Sequence, residues 1–183
     1  MVFMTLTRVF SVAVMTLLCV LALSVVAKAD TITFTAVLNG ANEVPSRNTT
    51  ATGTATLVLD TATGRAVLSV SFSGLTSGLT GAHIHCCALP TANAGVLQGF
   101  DSQLTIGATS GSFTNWTLPI TLTAQQMADL RNGLMYVNIH TSNFTGGEIR
   151  GQLYAVPEPG TLLLLGAGLL SLAGALRKRR DQD

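Results

Sequence analysis

The sequence predicts an all-β domain framed by two terminal address segments. Three observations carry this reading. Residues 30–156 alternate apolar and polar positions with period two. Short runs of this kind are separated by Gly-, Asn- and Thr-rich turns. The long uncharged apolar stretches lie at the two ends of the 183-residue chain.

The first strand is expected around Ile32, Phe34, Ala36 and Leu38, which share one face while Thr31, Thr33 and Thr35 share the other. Ala55, Leu57 and Leu59 repeat the pattern before a turn at Asp60-Thr61-Ala62-Thr63-Gly64. Ala66, Leu68, Val70 and Phe72 then form the inward side of a third strand. Further strands are expected near 81–85, 95–100, 111–118, 134–141 and 148–154. About eight short strands with such turns indicate a sandwich or a barrel. The abundance of Thr agrees, because a β-branched side chain suits a strand and its hydroxyl suits the solvated face. One short helix breaks the pattern. Thr123-Ala124-Gln125-Gln126 has capping-box form, Met127 and Leu130 are apolar three apart, and Gly133 stands where the helix should stop.

Residues 1–29 read as a secretory signal peptide: Arg8, an apolar run from Val9 to Val26, then the small-residue box Ala27-Lys28-Ala29. The mature chain is expected to begin at Asp30 and its β domain to run to residue 155. From 156 the chain reads Val156-Pro157-Glu158-Pro159-Gly160, an uncharged stretch over 161–176, and Arg177-Lys178-Arg179-Arg180. That stretch approaches the length a transmembrane helix needs, about 17 residues at minimum, and the basic run would remain cytoplasmic. Pro157, Glu158 and Pro159, the short span and the basic tail together resemble the PEP-CTERM sorting signal of bacterial surface proteins. The resemblance implies handling by an exosortase, a membrane enzyme thought to cut near the Pro-Glu-Pro. It also implies an association with exopolysaccharide production and a final place in the cell envelope, at the outer surface or outside the cell. Before processing, the C-terminal helix would tie the chain to the membrane.

Net charge is +1, but six of the ten basic residues lie in or beside the terminal segments. The span 30–156 carries only Arg47, Arg65, Arg131 and Arg150 against six acids and has no Lys. Such a surface makes nucleic acid an implausible partner.

All three histidines of the chain fall in two strand segments. His83 and His85 are two apart and so share a face; His140 is in phase with Tyr136 and Asn138, opposite Val137 and Ile139. In the last strand Glu148, Arg150 and Gln152 alternate with Ile149 and Leu153. Adjacent strands would therefore gather His83, His85, Asn138, His140, Glu148 and Arg150 on one polar face. Cys86 and Cys87 stand next to the histidines. As neighbours they cannot staple distant strands, which leaves a vicinal disulfide, free thiols, metal ligation or pairing between chains.

Five blocks in order resemble the CHRD domain, named for chordin and widespread in bacterial exported proteins. They are Leu38-Asn39-Gly40-Ala41-Asn42-Glu43-Val44-Pro45, Ala51-Thr52-Gly53, Ala82-His83-Ile84-His85, Tyr136-Val137-Asn138-Ile139-His140-Thr141 and Gly146-Gly147-Glu148-Ile149-Arg150-Gly151-Gln152-Leu153. The resemblance implies an Ig-like antiparallel β-sandwich and no established catalysis; the Cys86-Cys87 pair departs from the family pattern.

Three readings of the polar face stand side by side. It is a strand-pinning network in which Glu148, Arg150 and the histidines pair off. It is a Cu²⁺ or Zn²⁺ site of His83, His85 and His140, with Cys86 and Cys87 as further ligands. Or it is a recognition cleft in which Asn138, Glu148 and Arg150 bind a polysaccharide or a surface protein. No nucleophile elbow and no defined carboxylate pair point to an enzyme.

Overall fold

The computed structural model describes residues 31–157. The expected signal peptide, Glu158 and Pro159 of the sorting motif, and the expected C-terminal membrane segment lie outside the described residues. Among the described residues no helix is long and apolar enough to cross a membrane.

The strands are β1 (Thr31–Asn39), β2 (Thr52–Asp60), β3 (Ala66–Ser73), β4 (Leu79–Cys86), β5 (Gly95–Gly99), β6 (Gly111–Thr117), β7 (Tyr136–Thr141), β8 (Ile149–Gln152) and β9 (Tyr154–Ala155). One helix, α1 (Ala124–Arg131), precedes β7. The strands pair in the order β5-β4-β7-β8-β1-β2-β3-β6, and β9 pairs with β1. All pairings are antiparallel. Hydrogen bonding thus draws one continuous curled sheet rather than two separately bonded ones. The two halves meet at a narrow seam, where β1 and β8 share the single pair Asn39–Arg150.

Period-two burial explains why these segments are strands. Phe34, Ala36 and Leu38 of β1, Ala55, Leu57 and Leu59 of β2, and Ala66, Leu68, Val70 and Phe72 of β3 all face inward. Ala82 and Ile84 of β4, Val137 and Ile139 of β7 and Ile149 of β8 join them in one core cluster. A curled sheet lets both halves cover the same apolar interior. Truncating a fully buried member such as Leu57 or Ile84 to Ala should cost about 2–5 kcal/mol.

The helix begins as its sequence predicts. The Thr123 hydroxyl accepts from the Gln126 backbone N–H at 3.2 Å and the Gln126 side chain accepts from the Thr123 N–H at 2.9 Å. It ends at Asn132, followed by Gly133 with φ of +69°, the left-handed conformation that favours glycine.

The last predicted strand, 148–154, is divided. β8 stays with β7, then Leu153 turns inward with its N–H donated to the Met135 carbonyl, and β9 continues along β1. The break lets the chain pass from one half of the sheet to the other.

Candidate functional site

The face of β4, β7 and β8 opposite the apolar core is itself buried and polar. The register places His83 opposite Asn138 and His85 opposite Tyr136 across β4–β7, and Asn138 opposite Arg150 across β7–β8. Alternation therefore delivers His83, His85, Tyr136, Asn138, His140, Arg150 and Gln152 to one side.

Segments 40–51 and 87–94 close over that side. The Arg150 guanidinium donates to the Asn93 side-chain carbonyl at 3.1 Å and to the Ala92 carbonyl at 3.0 Å, and lies 3.5 Å above the Tyr136 ring. The Gln152 amide donates to the Ala88 and Gly133 carbonyls. Asn93 bonds the Val44 carbonyl, and Asn42 bonds the Arg150 carbonyl, so the two segments are tied to each other and to β8. Arg150 is only 1% exposed, and its five donors explain how a charge is tolerated there.

The three histidines converge at one end of this face. Their ring nitrogens, one from each, all lie within 4.8 Å of one another. His83 Nδ1 is 3.0 Å from His140 Nε2. His140 Nδ1 lies 2.9 Å from the Thr145 carbonyl, and His85 Nδ1 lies 2.9 Å from the Ala94 carbonyl. A carbonyl only accepts, so both Nδ1 atoms carry the proton and both Nε2 atoms present a lone pair. The His85 Nε2 lone pair is buried and has no hydrogen-bond partner. Parallel stacking on Tyr136, with ring centroids 4.8 Å apart, fixes the His85 ring. Gly81 makes room for the group, because a Cβ there would stand 3.1 Å from His83 Cε1.

Electrostatics keep His85 and His140 neutral. Burial, opposed by the Thr145 hydrogen bond and reinforced by the neighbouring imidazoles, lowers the His140 pKa to about 4. Burial likewise lowers that of His85. Neutral imidazole is the form that binds a metal.

Other expected members sit elsewhere. Glu148 does not share a partner with Arg150. β8 starts only at Ile149, and the Glu148 carboxylate is taken by Thr141, which lies in phase with Val137 and Ile139 on the core side. It accepts from the Thr141 hydroxyl at 2.8 Å, the Thr49 hydroxyl at 2.7 Å, and the Thr76 N–H at 2.9 Å and hydroxyl at 3.1 Å. Burial favours its neutral form, but these donors outweigh it, and the pKa falls below the ordinary 4.5. Cys86 follows Ala82 and Ile84 on the core side, and Cys87 is exposed with its sulfur 3.3 Å from an Asp129 oxygen. The two cysteines are joined as a vicinal disulfide, apart from the imidazoles.

Two further acids belong to the polar face. Asp101 lies 3.5 Å from His83 Nε2. Glu43, 5% exposed, turns an unpartnered Oε1 toward Asn138, whose own Oδ1 is also unpartnered. Both crowd Gly147, where a Cβ would fall within 2.5 Å of either oxygen. Nothing local in the sequence marks Asp101, since only the β4–β5 pairing carries it beside His83. Glu43 stands in the block Asn42-Glu43-Val44-Pro45, where nothing local marks it as buried.

A PEP-CTERM protein-sorting motif matches residues 155–180, beginning at the last residue of β9. No curated protein and no solved structure gives a match. The CHRD domain matches residues 34–153, which takes in β1 through β8 and all three histidines, and the chain belongs to the CHRD family.

Proposed function

We propose that this exosortase-sorted chain is a non-catalytic protein of the cell surface or extracellular matrix whose CHRD domain holds one divalent transition metal, Cu²⁺ or Zn²⁺. His83, His85 and His140 are the ligands. The observation that carries the reading is the His85 Nε2 lone pair, buried, unpartnered and facing the close His83–His140 pair. A network built only to pin strands would pair that atom, since a buried polar group left unsatisfied costs about 1–3 kcal/mol. A metal ion about 2.0–2.1 Å from each nitrogen would take the Nε2 lone pairs of His85 and His140 and, once the His83 Nδ1 proton has shifted to Nε2, the His83 Nδ1 lone pair as well. Imidazole donors suit Cu²⁺ and Zn²⁺, with Cu²⁺ the tighter of the two.

The sorting motif supports export and delivery to the envelope, where association with exopolysaccharide is the setting we infer. The metal in this reading ties β4 to β7 and stiffens the module outside the cell. Thermal unfolding of the full-length protein tests it. Metal at about 100 times its Kd should add about 2.7 kcal/mol of stability, a chelator should remove the gain, and His85→Ala should show no gain. Equal melting of parent and variant with metal would reject the site.

A further inference from the structure

The partners of the three rings define more than which residues converge; they define which nitrogen each ring offers. His85 and His140 each have Nδ1 bound to a backbone carbonyl, so both offer Nε2. His83 is turned the other way. Its Nδ1 faces His140 Nε2 at 3.0 Å, while its Nε2 faces Asp101 Oδ1 at 3.5 Å.

The position of Asp101 is built into the fold. It opens the short 3₁₀ turn Asp101–Gln103 that follows β5. Its Oδ1 accepts the Ala82 N–H at 3.0 Å, and the preceding residue, Phe100, donates its N–H back to the Ala82 carbonyl at 2.8 Å. The carboxylate is thereby anchored one residue from His83. Gly99 pairs with His83 across β4–β5 and has no side chain to intervene. A Cβ there would lie 3.5 Å from His83 Cδ2 and 3.7 Å from Asp101 Oδ1.

Resting on the metal reading above, we propose that Asp101 is the positioning residue of this centre: it holds His83 so that His83 coordinates through Nδ1, while His85 and His140 coordinate through Nε2. An ionised carboxylate only accepts. When a metal takes Nδ1, the remaining ring proton resides on Nε2, where Asp101 receives it. That bond fixes the ring orientation and raises the basicity of the ligating nitrogen, as the outer partners of metal-bound histidines do. The three rings then have one outer acceptor each: Asp101, the Ala94 carbonyl and the Thr145 carbonyl. The His83–Asp101 edge is also the open side, with side chains 26% and 44% exposed. A metal therefore enters past the carboxylate that later holds its ligand.

The test uses ¹⁵N-labelled full-length protein loaded with Zn²⁺ and long-range ¹H–¹⁵N correlation of the imidazoles. The expected result is Nδ1 ligation for His83 and Nε2 ligation for His85 and His140. Asp101→Asn keeps an acceptor for the Ala82 N–H but removes the charge. It should weaken Zn²⁺ binding 10–100-fold while the metal-free melting temperature stays at the parent value. Ligation of His83 through Nε2, or parent-like affinity in Asp101→Asn, would overturn the proposal and leave the three-histidine site standing. A parent that takes up no Zn²⁺ would overturn both. If the variant melts early, the nitrogen assignment in the parent still decides.

Discussion

His83 Nδ1 and His140 Nε2 lie 3.0 Å apart on neighbouring strands, and the His140 nitrogen has its lone pair turned toward His83 because the Thr145 carbonyl claims the other side of the ring. Two imidazoles 57 residues apart in the chain are thus held at the spacing of cis ligands on one ion, with His85 the third.

The buried carboxyl of Glu43 should give the domain an unusual acid-side stability. Burial raises its pKa from 4.5 to about 7, against the lowering influence of Arg150 and Arg47. The folded chain then keeps a proton that the unfolded chain releases above pH 4.5. This contribution is fully present below about pH 4.5 and is lost as pH rises toward 7. It amounts to about 3 kcal/mol. Glu43→Gln, neutral throughout, should lack this decline; denaturant melts of parent and variant at pH 4.5 and 7.5 measure the difference. An equal pH response in both would show that Glu43 is not held protonated.

Glu148 should act with the opposite sign. Its four hydrogen bonds favour the ionised form, so its contribution is present above about pH 4.5 and falls away as pH drops through the lowered pKa. Removing it strands three threonine hydroxyls and the Thr76 N–H. Glu148→Ala should cost about 3 kcal/mol or more, read as a shift of the urea midpoint at pH 7. A loss below about 1 kcal/mol would mean the threonines find other partners.

Arg150→Lys should not be conservative. A lysine has no planar fork to reach Asn93 and Ala92 together or to lie over Tyr136. We expect a loss of about 2–3 kcal/mol and faster amide exchange over 87–94, the segment Arg150 anchors. Unchanged exchange there would assign the anchoring to Gln152 and Tyr136 instead.

The cysteines should be dispensable for metal. Cys86 packs toward the core and Cys87 is exposed beside Asp129, so neither faces the imidazole cluster. Replacing both by Ser should leave the Zn²⁺ affinity within about twofold, a change of about 0.4 kcal/mol, by competition with a chromogenic chelator. A tenfold loss would place a sulfur in the coordination sphere.

What the sequence revealed and concealed follows from the range of each signal. Period-two alternation is local, so the strands, the inward residues from Phe34 to Ile149 and the shared face of His83 and His85 were readable from one segment at a time. The β4–β7 register that sets His140 beside His83 was foreseen only as a phase relation, because pairing partners are not written in either strand. The continuous sheet could not be told from two bonded layers: eight strands with turns fit a sandwich or a barrel equally well, and the β8–β1 seam rests on a single pair, Asn39–Arg150. Glu148 misled for a similar reason. In-phase spacing placed it with Arg150, but the strand begins one residue later, and Thr141 of β7 with Thr49 and Thr76 from distant segments draw the carboxylate the other way. Asp101 gave no signal, since its role depends on the turn after β5 and on its bond to Ala82.

The most direct measurement is the metal content of the full-length protein after loading with Cu²⁺ or Zn²⁺ and desalting, compared with His140→Ala. One ion per chain is expected in the parent and none in the variant. No ion in the parent, or the same content in both, would contradict this and leave His83, His85 and His140 as residues that only join β4 to β7.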